Sequence, residues 1–141
     1  MTSSSPSVFV VAVALLDHRN KVLIAERPAG KSLEGLWEFP GGKVSEGERP
    51  EEALVRECEE ELGIQLRPQF LTPLTFSSHP YKDFHLIMLL YVSRVWEGTP
   101  APRENQKIVW VDVEDLINYP MPPADGPLVP PLRHHVLKKN L

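Results

Sequence analysis

Residues 41–64 read GGKVSEGERPEEALVRECEEELGI, and the reading of this stretch decides the fold. It carries eight glutamates, six of them between Glu51 and Glu61. Pro50 suits the first position of a helix, Glu51 and Glu52 suit its first turn, and Gly63 suits its end. Leu54, Val55, Cys58 and Leu62 recur at helical spacing and predict one buried stripe. On that helix Glu57, Glu60 and Glu61 are offset by three and four residues and share a face. Like charges so placed repel by roughly 0.2–0.5 kcal/mol per pair. Arg56 is the only basic residue between Glu51 and Glu61. Clustered hard oxygen ligands suit Mg²⁺, with Mn²⁺ as the alternative, and do not suit zinc. The competing reading is a solvated acidic face. Such faces interleave lysine with glutamate, and no lysine follows Lys43 in this segment.

Around this helix the chain reads as alternating elements. Residues 8–16 (VFVVAVALL) and 22–25 (VLIA) predict a hairpin across the turn Asp17-His18-Arg19-Asn20. A secretory leader would need a basic start, and residues 1–7 carry no Lys or Arg; the apolar run is also about half a membrane span. Residues 36–39 (LWEF) form a short strand that Pro40-Gly41-Gly42 breaks. Strands are expected over 70–77, 84–96 and 108–111, then a short helix over 113–118 with Asp112 as its N-cap, and a last helix over 132–137. The order β-β-β-α-β-β-β-α predicts an α/β fold with a mixed sheet, formed by residues 1–141 as a single domain.

Bulk properties narrow the function. The 141 residues are 42% hydrophobic and 24% charged, with a net charge of −4. No global basic surface exists to hold a nucleic-acid polymer, so no such partner is expected, and no membrane. A small anionic ligand would need a metal or placed arginines. Cys58 is the only cysteine, which excludes an internal disulfide and fits the cytoplasm.

Gly42, five residues, Glu48, seven residues, then Arg56-Glu57-Cys58-Glu59-Glu60-Glu61-Leu62-Gly63-Ile64 resembles the Nudix box at its nine specified positions. Cys58 stands where a larger aliphatic is usual, and a buried thiol behaves as a small hydrophobe. LWEFPGGK (36–43) and MPPAD (121–125) look like the MutT-type branch, so the resemblance covers nearly the whole chain. It implies a Nudix fold, a mixed β-sheet sandwiched between helices. It also implies a Mg²⁺-dependent pyrophosphohydrolase of small-molecule nucleoside triphosphates, acting as a cytoplasmic monomer. The leading substrate is 8-oxo-dGTP, converted to 8-oxo-dGMP and pyrophosphate, which is nucleotide-pool sanitation. The alternative is a pyrimidine triphosphate such as CTP or 5-methyl-dCTP. A non-catalytic lesion-binding module is the alternative of another class, and the complete box argues against it.

The resemblance assigns Gly41 (carbonyl), Glu57, Glu60, Glu61 and Glu104 to the metal, Arg56 and Glu48 to orienting the glutamates, and Glu104 also to water activation. Glu104 has a competing reading as a solvated loop carboxylate. Arg27 is either a nucleotide contact or a surface ion-pair partner. Asp125 stands where MutT-type proteins place a base-reading asparagine, and is otherwise a cap of the helix that follows. An ionised aspartate only accepts hydrogen bonds, so it would take the N7–H of an 8-oxopurine but repel its O6. Tyr81 and Phe84 are candidates for stacking on the base, with core packing the stronger reading for Phe84 and Trp37. Pro80 and Tyr81 also fall where other Nudix branches carry Pro or Tyr, which leaves ADP-ribose and dinucleoside polyphosphates open.

Overall fold

Strand β1 (Ser7–Leu15) organises the molecule because its alternate side chains enter two different cores. The computed structural model describes residues 5–138. Val11, Val13 and Leu15 pack with Ala53, Leu54, Cys58 and Leu62 of helix α1 (Pro50–Leu62). Ala12 and Ala14 point the other way, towards Leu132 and Val136 of helix α2 (Val129–Lys138). Two-residue alternation thus puts the sheet layer between helices, as expected. Each fully buried leucine on α1 stabilises this packing by about 1.5–3 kcal/mol.

The layer is two sheets rather than one. β1 is flanked by β4 (Gly41–Lys43), antiparallel, and by β7 (His85–Ser93), parallel; β6 (Thr72–Pro80) adds to β7 in a hairpin. β2 (Lys21–Glu26) lies in a second, antiparallel sheet between β3 (Trp37–Glu38) and β9 (Lys107–Asp112). The expected β1–β2 hairpin therefore needs correction. Its turn forms, with Asp17 Oδ1 accepting from the N–H groups of Arg19 (2.8 Å) and Lys21 (2.9 Å). Beyond the single bridge Leu16↔Val22 the strands part into different sheets. Residues 39–42 fill the opening, with Phe39 buried and the Val13 N–H donating to Pro40 O at 2.9 Å. The groove described below lies at this opening.

Helix α1 follows its local signals. Pro50 opens it, Glu52 accepts from the Arg49 N–H (2.8 Å), and Gly63, at φ 71°, closes it by donating to Glu59 O (3.0 Å). Elsewhere the elements differ in detail. Residues 68–70 form a 3₁₀ turn, so the strand expected from 70 begins at Thr72. The run 84–96 breaks after Ser93, whose hydroxyl donates to Val95 O and accepts from its N–H (3.0 and 3.3 Å). Trp96–Glu97 (β8) instead pairs with Gln65–Leu66 (β5). Residues 113–118 form a 3₁₀ helix because Val113 and Leu116, three apart, are its buried pair. Asp112 precedes it without a side-chain capping bond. No helix among the described residues is long and apolar enough to cross a membrane.

Candidate active site

Two glycines admit the site. A Cβ at Gly41 would lie 1.9 Å from the Val11 carbonyl oxygen, and one at Gly42 would lie 2.3 Å from the Glu57 carboxylate. Only hydrogen fits at either position, so β4 runs hard against β1 and brings its backbone to the acidic face of α1. Arg56 braces the other side. Its Nε and Nη2 donate to the two oxygens of Glu48 at 2.9 and 3.0 Å, its Nη1 to Glu57 Oε1 at 2.8 Å, and its Nη2 to Lys43 O at 3.2 Å. Glu48 also accepts from the Ser45 N–H at 3.0 Å. Arg56 first, and this N–H second, hold the Glu48 carboxyl down at about 2. Arg56 thus bridges the carboxylates of Glu48 and Glu57.

Glu61 lies one turn beyond Glu57. Burial pushes its carboxyl well above the usual range, and the hydrogen bond and charge of Glu57, then the charges of Glu104 and Glu38, push the same way. Glu57, Glu61, Glu104, Glu38 and Gly41 line one cavity of about 200 Å³ at the ends of β2 and β3, with Arg27, Lys31 and Gln106 completing it. Glu60 is placed differently. Its side chain is 55% exposed, lies 3.8 Å from Arg56 Nη1, and lines an open cleft on the outer side of α1 with Glu52, Glu59 and Arg103. Spacing puts Glu60 near Glu57 and Glu61 along the helix, but not in the same cavity. Among the described residues no three acidic, His or Cys side chains have closed into a metal cage.

Glu104 arrives from the loop before β9. That loop docks on the C-terminal end of α1: the Arg103 N–H donates to Glu61 O (3.0 Å) and the Ala101 N–H to Leu62 O (3.0 Å). Gln106 accepts from the Glu104 N–H at 2.7 Å and donates to Glu61 O at 2.9 Å. Of the two readings of Arg27, the ion pair is present. Arg27 bonds Glu38 at 3.2 Å and Ser32 O at 2.6 Å, while still lining the groove. Burial raises the Glu38 carboxyl against the opposing effect of Arg27.

A second cavity of about 240 Å³ adjoins the first and shares Arg27, Glu38 and Gly41 with it. Tyr81, Leu86, Met88 and Phe39 give it apolar and aromatic walls, Asp125 adds a buried carboxyl, and Glu38 stands at the shared boundary. Asp125 is 1% exposed. It does not cap the helical turn that follows; its Oδ2 accepts from the Phe39 N–H at 3.2 Å. Burial, then the charge of Glu38, push it up to about 7. Tyr81 lines the cavity directly, whereas Phe84 stacks on Tyr81 from behind (centroids 4.9 Å apart, 21° between planes). Trp37 packs edge-on to Tyr119 at 5.4 Å, against the core.

Sequence reasoning passed over Glu38, Lys31 and Gln106. Glu38 had a signal, the lone charge in the apolar run LWEF; Gln106 had none, because its partners are backbone groups, one of them 45 positions away.

The NUDIX domain model matches residues 6–132. The chain is 39% identical over 121 residues to CTP pyrophosphohydrolase of Escherichia coli K12, covering 84% of this chain and 87% of that one. It is 33% identical over 124 residues to 8-oxo-dGTP diphosphatase of the same organism, covering 87% and 95%. The solution structure of the E. coli ORF135 protein superposes with a TM-score of 0.82 at 33% identity, covering 94% of this chain and 93% of that one. Box residues, fold and relatives agree, and the chain belongs to the Nudix hydrolases, in their MutT-like branch.

Proposed function

We propose that the chain, as one catalytic domain, is a Mg²⁺-dependent nucleoside triphosphate pyrophosphohydrolase whose leading substrate is 8-oxo-dGTP. Water adds across the α–β anhydride bond, giving the monophosphate and pyrophosphate. The reading rests above all on two joined cavities, one walled by carboxylates and one mostly apolar with the buried carboxyl of Asp125. Nudix hydrolases use divalent metal; Glu57, Glu61 and Glu104 form no closed cage, but the donors they bring to one cavity are the hard oxygens such an ion takes. Glu61 is buried beside Glu57 and surrounded by other carboxylates, so a cation is the countercharge this end lacks. Glu57, Glu61, Glu104 and the Gly41 carbonyl would hold it, all hard oxygens. Glu60, on the outer side, stands outside that set. When bound, the ion neutralises phosphate charge and acidifies the attacking water. Arg56 fixes the Glu57 rotamer, and Lys31 and Arg27 offer positive charge to the phosphates.

At the base end Asp125 supports an 8-oxopurine through its neutral form. A protonated carboxyl offers one donor and one acceptor, which match O6 and the N7–H created by oxidation at C8. Its elevated pKa keeps that form populated near neutrality. The second reading, CTP or a methylated dCTP, is favoured by the ionised form, which accepts from the cytosine amino group, and by the 39% identical relative. A panel of 8-oxo-dGTP, dGTP, CTP and 5-methyl-dCTP with Mg²⁺, detecting pyrophosphate and phosphate separately, tests the proposal. Pyrophosphate released fastest from 8-oxo-dGTP is expected; phosphate alone, or no product, sinks it. The ratio of kcat/KM for 8-oxo-dGTP over CTP should fall as pH rises through about 7. A ratio flat from pH 6 to 8 removes Asp125 from base reading.

A further inference from the structure

We propose that Gln106 is a positioning residue whose side-chain amide sets the spacing of Glu104 and Glu61 across the groove. The inference rests on the reading above that these two carboxylates act together. Gln106 is 9% exposed, and both ends of its amide are used. Oε1 accepts from the Glu104 N–H at 2.7 Å, and Nε2 donates to Glu61 O at 2.9 Å. The Glu61 carbonyl belongs to the last turn of α1, where carbonyls have no partner within the helix. It therefore has free acceptor capacity, which the loop takes up through the Arg103 N–H and Gln106. Asn105 stands at φ 61°, a left-handed turn between Glu104 and Gln106. With the chain so bent, one side chain bonds the backbone two residues earlier and the helix end at once.

The two bonds require one donor and one acceptor on a planar group. Glutamine has both, glutamate at neutral pH has only acceptors, and methionine is a near-isostere with no comparable donor. A residue that merely caps α1 would need only the donor end. The acceptor end fixes Glu104, because the amide it holds belongs to the very residue whose side chain faces the groove.

The test is a double-mutant cycle with Gln106→Met, alone and combined with Glu104→Gln, in the full chain. By the usual effect of groups that orient metal ligands, Gln106→Met should slow turnover about 10- to 100-fold and raise the Mg²⁺ needed for half-maximal rate. KM for the nucleotide should stay within about twofold, since both polar ends of the Gln106 amide are already engaged within the protein. In the metal-free protein, hydrogen exchange at the Glu104 amide should speed up at least about tenfold. In the Glu104→Gln background the further loss should shrink to less than about threefold, because both changes act through one carboxylate. Equal losses in both backgrounds would show that Gln106 acts elsewhere and overturn the proposal. Unchanged turnover with a lowered Tm would reduce it to a cap. Wild-type turnover in Glu104→Gln alone overturns the underlying reading of Glu104, an outcome distinct from either. If Gln106→Met does not fold, Gln106→Leu, which also lacks both the acceptor for Glu104 and the donor to Glu61, replaces it and the same cycle applies.

Discussion

The two ends of the groove bury carboxylates for opposite purposes. At one end Glu61 sits among Glu57, Glu104 and Glu38, and every one of these neighbours makes its ionisation harder. At the other end Asp125 sits among mostly apolar walls, accepts from one backbone N–H, and has Glu38 as its one carboxylate neighbour, with Arg27 opposing it. Burial raises both groups, yet the remedies differ. A crowd of ligating oxygens is relieved by a divalent cation, which holds them all ionised. A single carboxyl in an apolar pocket is relieved by a proton, which makes it a donor as well as an acceptor. On the proposed reading, the same physical penalty serves phosphate handling at one end and base reading at the other.

The largest effect should come from the crowded end. Glu57→Gln and Glu61→Gln should each lose about 10³-fold in turnover, roughly 4 kcal/mol of barrier. Near-wild-type turnover in both would break the metal assignment. In the absence of metal Glu61→Gln should be no less stable than wild type, since it removes a buried carboxyl from among like charges. The next effect belongs to Asp125. Its folded-state pKa, about 7, lies above the ordinary aspartate value of 3.8. The folded protein therefore holds a proton that the unfolded chain releases, and stability from this group falls as pH rises from about 4 to about 7. Three pKa units correspond to about 4 kcal/mol at most. Asp125→Asn keeps an acceptor for the Phe39 N–H and escapes the penalty. It should raise Tm more at pH 8 than at pH 4. Equal shifts at both values would mean that Asp125 is not the buried acid described here.

The crowded end was readable in the sequence and the lone carboxyl only in part. Glutamates at fixed offsets between two glycine turns reflect local geometry, a helix and its caps, and local geometry follows from neighbours in sequence. Glu57 and Glu61, one turn apart, line the same cavity as that spacing predicts. Glu60 shares their spacing but stands outside their cavity, because which side of a helix meets a groove is decided by packing against β1, not by period. Asp125 was recognised by position, but its environment depends on Phe39, 86 positions away. The parting of β1 from β2 was hidden for the same reason. A tight turn predicts that two strands meet, and nothing local says they then enter different sheets. Glu38 was passed over because one charge in a short strand looks like an ordinary outward residue until its partner strand is known.

The smallest effect separates the two ends most cleanly, because it adds a cation without changing a residue. If Mg²⁺ binds the folded site and not the unfolded chain, as proposed, then at ten to a hundred times its Kd it should stabilise the protein by about 1.4–2.7 kcal/mol. For a chain of this size that is a rise in Tm of roughly 3–8 °C. The rise should be larger at pH 8 than at pH 5, since the metal must displace the proton on Glu61, whose carboxyl is raised to about 9, and that displacement costs more the lower the pH. Glu61→Gln should lose most of it. Asp125→Asn should keep all of it, because Asp125 lies outside the cavity that Glu57, Glu61 and Glu104 line. A rise that survives Glu61→Gln would place the ion elsewhere, with the outer cleft that Glu60 lines as the next place to look. A rise that disappears in Asp125→Asn would mean that the two ends are coupled, and that the contrast between a cation and a proton as remedies is a property of one site rather than two.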